Sequence, residues 1–215
     1  MRYTIFDTPI ISPILYGVSL LLLRIFGWRR EGELPDIPKY VMVGAYHTSN
    51  WDFPFAVMFA FVLRIRICWM GKNSLFRWPF RSFFRWAGGI PIERSQHHGI
   101  VDETIRAFKE NERLIMIITP EGTRRKVQTW KKGFYYIALG ADVPMVLAFL
   151  DYRRKVAGLG PLVTATGDIQ ADLKVIREFF VNVTPKHPEL ASPPDVEVKT
   201  GSGTPSDGGD HGFGQ

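Results

Sequence analysis

Apolar and charged stretches alternate along the chain in blocks that already suggest its elements. From Thr8 to Leu23 the chain runs 16 residues without a charge, and Arg24 is followed at once by Ile25, Phe26, Gly27, Trp28, Arg29 and Arg30. A helix crossing a bilayer needs about 20 predominantly apolar residues. The pattern therefore predicts a helix that lies in one leaflet or dips into it, with Trp28, Arg29 and Arg30 at headgroup level. A cleaved leader fits less well, because the basic cluster follows the apolar run and no small-residue cleavage site comes after it. A buried core helix is the alternative.

Downstream, short apolar runs alternate with helical spacing. Tyr40 to Tyr46 reads as a buried strand after the loop Leu34 to Pro38 and delivers the chain to His47. Ser49 or Asn50 can cap a helix over Trp51 to Leu63, with Pro54 in its first turn. Strands are predicted at Ile65 to Met70, Gly88 to Ile92, Leu114 to Ile118 and Met145 to Leu150, and helices at Gly99 to Glu112 and Lys132 to Leu139. In the first of these helices Ile100, Thr104, Ile105 and Phe108 share one side. Such alternation predicts an α/β fold, a central mixed β-sheet flanked by helices with functional side chains at strand ends. After about Leu190 the composition turns to Ser, Pro, Gly and Asp, which has almost nothing to bury. The expected organisation is an N-terminal membrane-associating segment over 1–33, an α/β domain over 34–190 and a disordered tail over 191–215.

Composition sharpens this picture. At 215 residues, with 46% hydrophobic and 22% charged residues, the chain fits one folded domain and excludes a fibrous or globally disordered protein. The net charge of +6 is concentrated: between Arg64 and Lys132 stand 15 Lys and Arg against 6 Asp and Glu. That excess points to an anionic partner. The single cysteine, Cys68, can form no internal disulfide, so the fold rests on its core.

Three segments at strand ends carry candidate chemistry. In His47-Thr48-Ser49-Asn50-Trp51-Asp52 a neutral imidazole can take a proton from a hydroxyl, while a carboxylate on its other ring nitrogen fixes the tautomer and stabilises the imidazolium. Ser49 reads as a turn or cap residue rather than a nucleophile. In Gly88-Gly89-Ile90-Pro91-Ile92-Glu93-Arg94 the glycines permit close approach and Arg94 offers a planar guanidinium suited to phosphate; a solvated surface arginine is the plainer alternative. In Thr119-Pro120-Glu121-Gly122-Thr123-Arg124-Arg125-Lys126 the glycine brings backbone N–H groups near an anion that the flanking cations would hold. His97-His98 makes a poor metal pair, since adjacent residues do not share a helix face and no carboxylate completes the site.

In order and spacing over about residues 40 to 150 these segments resemble the glycerolipid acyltransferase family. The His-x4-Asp signature matches His47 and Asp52, the Gly-x-x-Pro-Ile-x-Arg block matches Gly88, Pro91, Ile92 and Arg94, and Pro-Glu-Gly-Thr-Arg stands intact at Pro120 to Arg124. A fourth block, an apolar strand after a proline, is similar to Val143 to Leu147. The resemblance implies transfer of a fatty acyl group from acyl-CoA or acyl carrier protein to a hydroxyl of a lysophospholipid-type acceptor, best matched by 1-acylglycerol-3-phosphate giving phosphatidate. It implies His47 as general base oriented by Asp52, and Arg94 and Arg124 as ligands of the acceptor phosphate. Gly88, Glu121, Gly122 and Thr123 would shape that pocket, and backbone N–H groups near Gly122 would meet the oxyanion. No cofactor or metal is implied. The expected location is a membrane carrying anionic lipids, with the active site on the cytoplasmic face. Tyr46, where many phosphatidate-forming members carry Asn, and Asn50-Trp51 before Asp52 depart from the pattern, which bears on acceptor identity rather than chemistry.

Two other classes fit parts of the sequence. An acyl-thioesterase would use the same His47 with water as acceptor. A non-catalytic lipid- or nucleic-acid-binding module would rest on Trp69, Phe76, Trp78, Phe80, Phe83, Phe84 and Trp86 interleaved with Lys72, Arg77, Arg81 and Arg85. That mixture equally describes a membrane-interface surface, and the absence of a nucleic-acid motif favours the lipid reading.

Overall fold

The computed structural model describes residues 3–92 and 97–192. The expectations for Arg94 and for the tail from residue 193 onward lie outside the described residues. Among these residues seven strands form one sheet: β1 (Arg29–Glu31), β2 (Lys39–Gly44), β3 (Ile67–Lys72), β4 (Gly89–Ile92), β5 (Leu114–Ile118), β6 (Met145–Asp151) and β7 (Val156–Val163). Their order is β1-β7-β6-β2-β5-β3-β4, and every neighbouring pair is parallel except the β6–β7 hairpin, which is antiparallel. The mixed α/β sheet expected from the sequence is therefore present.

Among the described residues six α-helices accompany it: α1 (Ile11–Ile25), α2 (Asp52–Val62), α3 (Arg81–Trp86), α4 (His97–Glu110), α5 (Gly133–Ala141) and α6 (Ile169–Phe180). Side chains alternate across each strand, and β2 shows the result. Val41 and Val43 pack with Phe108 of α4, Phe134 and Ile137 of α5, and Leu173, Ile176 and Phe180 of α6. Tyr40 and Met42 face the other way, toward Ala60 of α2 and Ile65 and Ile67. Burial on both faces explains why β2 and β5 read as continuous apolar runs rather than alternating ones. Outside α2 lies α1, joined to it through Leu23, Trp28, Phe55 and Phe59.

The N-terminal segment is part of this body, since β1 pairs with β7 through Arg29 and Val156, Arg30 and Ala157, and Glu31 and Gly158. No helix among the described residues is long and apolar enough to cross a membrane. The 15-residue α1 buries only Ser19 and Leu23, while Ile11, Ile14, Val18, Leu21, Leu22 and Ile25 stay exposed. Their spacing marks one helical stripe, so the apolar face of α1 points away from the core.

Boundaries moved where turn hydrogen bonds intervene. The strand expected from Ile65 begins at Ile67, because the N–H of Ile65 bonds to Ala60 O and closes the end of α2. Strand β7 is interrupted in sequence by Gly158, Gly160 and Pro161, which hide its apolar alternation, and it did not figure among the predicted elements. Helix α6 was also missed, although Asp168 caps it by accepting from the N–H groups of Gln170 and Ala171.

Candidate active site

Strands β2 and β5 lie side by side with Val43 opposite Ile118, so the loops leaving their C-terminal ends emerge together. From β2 the chain travels through α2 toward β3; from β5 it travels through α5 to β6, on the opposite side of β2. Strand order reverses here, and a crevice opens at such a point in an open α/β sheet. His47 stands on the first loop and Glu121 on the second.

Asp52 is the first residue of α2, and its buried carboxylate turns back over its own loop. Oδ2 accepts the backbone N–H groups of Thr48 and Ser49, each at 2.8 Å, and stands 3.2 Å from His47 Nδ1. Ser49 serves the turn: its Oγ accepts the N–H of Trp51 at 3.2 Å and its carbonyl accepts the N–H of Asp52. Oδ1 accepts the hydroxyl of Tyr152 at 2.7 Å. Burial alone would raise the Asp52 carboxyl, but hydrogen bonds from His47, Tyr152, Ser49 and Thr48 outweigh it and hold the group below its ordinary range. Asp52 is thus ionised at neutral pH. With Nδ1 turned to the carboxylate, Nε2 is the nitrogen left for a reactant.

Glu121 is 4% exposed. Its Oε1 accepts the backbone N–H of His47 at 3.3 Å, and its Oε2 is buried without a hydrogen-bond partner among the described residues. Burial pushes its carboxyl up to about 7. Glu121 therefore holds the loop that carries the histidine and faces its backbone. Gly122 sits at φ 64° and spends its N–H on Thr119 O at 3.1 Å, so the oxyanion donor expected near this residue is not its own N–H. Thr123 Oγ1 accepts the N–H of Arg125 at 3.3 Å, a turn contact.

A cavity of about 970 Å³ opens at this point. Its lining joins His47, Arg124, Lys131 and Lys132 to an apolar wall made by Ala56 and Ala60 of α2 and Met42, Ile117 and Ala148 of the sheet. The space exists because small residues meet there. Gly44 and Ala148 pair across β2 and β6, and Ala56 and Ala60, four residues apart, share one side of α2. Lys131 lies against Gly122, where a side chain's first carbon would stand 3.1 Å from Lys131 Nζ. Residues Arg124, Lys131 and Lys132 are exposed and make the cavity rim basic.

Of the other sequence-selected residues, Gly88 has a backbone role. It follows α3 at φ 85°, and a side chain there would come within 2.6 Å of the Ile67 carbonyl oxygen, closer than van der Waals contact allows. The structure thus brings His47, Asp52, Glu121, Gly122 and Arg124 to one crevice and gives Gly88 and Thr123 to the chain's own turns. Sequence reasoning missed Tyr152, 100 residues from its partner, because nothing local marks it.

A histidine beside a buried carboxylate, at the basic mouth of an apolar cavity, is an arrangement able to take a proton from a bound hydroxyl and to receive a molecule both apolar and anionic. The family model for "Acyltransferase" matches residues 30–148, more than half of the chain, and the chain belongs to that family. The 1-acyl-sn-glycerol-3-phosphate acyltransferase of Haemophilus influenzae is 28% identical over 135 residues, covering 58% of this chain and 55% of that protein. The match thus spans about half the relative's length. PlsC of Thermotoga maritima, a 1-acyl-sn-glycerophosphate (LPA) acyltransferase of known crystal structure, shares the fold with a TM-score of 0.56 at 18% identity, over 79% of this chain and 76% of its own.

Proposed function

We propose that the protein transfers a fatty acyl group from acyl-CoA or acyl carrier protein to the free hydroxyl of 1-acylglycerol-3-phosphate, giving phosphatidate. The observation that carries this reading is the His47–Asp52 pair, 3.2 Å apart, at the mouth of the apolar cavity. His47 Nε2 takes the hydroxyl proton as the acceptor oxygen attacks the thioester carbonyl carbon. The tetrahedral oxyanion collapses, the C–S bond breaks, and the thiolate leaves with the proton returned by the imidazolium. Asp52 orients the ring and stabilises its positive charge. The acyl chain lies between α2 and the sheet; Arg124, with Lys131 and Lys132, grips the acceptor phosphate. No metal or cofactor takes part in this scheme.

Both substrates are amphipathic, and two surfaces suit an anionic leaflet on the cytoplasmic face. One is the exposed apolar stripe of α1. The other surrounds α3, where Trp78, Phe80 and Phe83 are exposed within a stretch, residues 53–92, that carries six Lys and Arg and no carboxylate. The two adjoin: Trp86 donates its indole N–H to Thr8 Oγ1 at 2.8 Å, and its carbonyl accepts the N–H of Ile5. Aromatic rings with cations beside them favour the headgroup region of anionic lipid.

The test is thiol release from long-chain acyl-CoA and acyl carrier protein by detergent-solubilised protein, with and without lysophosphatidic acid, beside His47→Ala. Acceptor-stimulated release that vanishes in the variant is the expected result. Release indifferent to acceptor would replace this reading with an acyl-thioesterase.

A further inference from the structure

Oδ2 of Asp52 is held by its own loop, but Oδ1 is held from across the fold. It accepts the hydroxyl of Tyr152 at 2.7 Å, a residue immediately after the last of β6. The Tyr152 ring is fixed on several sides. Trp28 meets it edge-on with centroids 5.1 Å apart and Phe55 at 6.0 Å, while Lys186 Nζ stands 5.9 Å from its centroid and 5.2 Å from that of Trp51. Its backbone N–H donates to Thr184 O at 2.8 Å. The segment that follows is tied to the same loop, since the N–H of His187 donates to Thr48 Oγ1 at 3.2 Å. A rigidly held hydroxyl thus donates to a buried carboxylate, an arrangement in which the hydrogen bond is short and strong.

We propose that Tyr152 is a positioning residue of the catalytic pair, acting through Asp52; the inference rests on the acyl-transfer reading. Held at both oxygens, the carboxylate cannot rotate about Cβ–Cγ, so Oδ2 stays aimed at His47 Nδ1. The hydroxyl also draws negative charge toward Oδ1. Without it more of that charge faces the imidazole, which favours the protonated pair. Charged or titratable groups nearby are Lys186 above the ring, Glu121 beneath the His47 loop, His187 with its partner Glu189 beside Thr48, Arg124, Lys131 and Lys132 on the cavity that His47 lines, and Asp151, Arg153, Arg154 and Lys155 in the same turn; none of them is substituted when only the hydroxyl is removed.

The experiment is Tyr152→Phe, which keeps the ring and its packing, measured beside wild type, Asp52→Asn and the double variant. Tyr152→Phe should lower kcat about tenfold, leave both KM values within twofold, and move the acidic limb of the pH–rate profile to higher pH. In the Asp52→Asn background the same substitution should cost almost nothing further, because the group it acts through is gone. Wild-type kcat with an unmoved limb, or an equal loss in both backgrounds, overturns the proposal. Should wild type itself turn over no thioester, the acyl-transfer reading falls first. NMR titration of the His47 ring in the two folded proteins then decides: a higher midpoint in Tyr152→Phe supports the clamp, and an unchanged or lower one removes it.

Discussion

The backbone N–H of His47 donates to Oε1 of Glu121 at 3.3 Å, and this bond joins the two loops that make the crevice. Residues 74 apart in sequence meet because β2 and β5 are parallel neighbours in the sheet. The bond goes to the main chain of the histidine, leaving its ring to Asp52. Glu121 therefore works as a brace between loops, and its unpartnered Oε2 makes that brace sensitive to charge.

Glu121 yields a pH prediction with a defined sign. Its carboxyl is raised from 4.5 to about 7 by burial, so folding favours the protonated form. That stabilisation is fully present below about 4.5 and is lost as pH rises through about 7. Glu121→Gln removes the titration. Urea unfolding should find the variant gaining on wild type between pH 5 and pH 8 by on the order of 3 kcal/mol, the free energy of such a shift. A stability difference that stays flat with pH would show that Glu121 is not buried as a neutral acid.

Arg124 should act on the acceptor more than on the donor. Arg124→Ala removes a guanidinium from the cavity rim, and the apparent KM for lysophosphatidic acid should rise about tenfold or more, in line with about 1.5–3 kcal/mol for a hydrogen bond to a charged group. The KM for the acyl thioester should change less. Equal rises in both would assign Arg124 to the loop's structure instead.

Ala148 sets the room available beneath α2. A phenylalanine at this position would project into the cavity between the sheet and Ala60. Chain-length profiles with acyl donors should then shift toward shorter chains, with activity on short donors retained. Uniform loss across all lengths, with the protein still folded, would place the acyl chain elsewhere.

The α3 surface should be separable from α1 in lipid binding. Replacing Trp78, Phe80 and Phe83 together by alanine exchanges exposed side chains and leaves the buried core untouched. Cosedimentation with vesicles containing anionic phospholipid should weaken, and the remaining binding should keep its dependence on salt because Arg77 and Arg81 remain. Undiminished cosedimentation would leave α1 as the sufficient contact.

The strands β2, β5 and β6 were legible because burial on both faces demands continuous apolar runs, and these end directly before His47, before Thr119 and at Asp151. The His47–Asp52 pair was legible for a related reason. Its partners lie within six residues, so a local loop can bring them together. Helix α1 was legible as an apolar stretch, yet which of its sides faces outward was not, because only packing against α2 chooses Ser19 and Leu23 for the interior. Strand β7 escaped because Gly158, Gly160 and Pro161 mask it, while its place in the sheet depends on pairing with β1 and β6.

Sequence alone determined strands β2 to β6 and helices α1, α2, α4 and α5, the α/β class and the residue types able to take a proton or hold a phosphate, since these depend on periodicity and local spacing. Tertiary structure decided which of them share a crevice. Strand order places Glu121 against the His47 main chain, the β6–β7 turn carries Tyr152 to Asp52, and small residues meeting between α2 and the sheet leave a cavity beside them. Each is a contact between distant segments, and contacts of that kind are selected by the packing of the whole sheet.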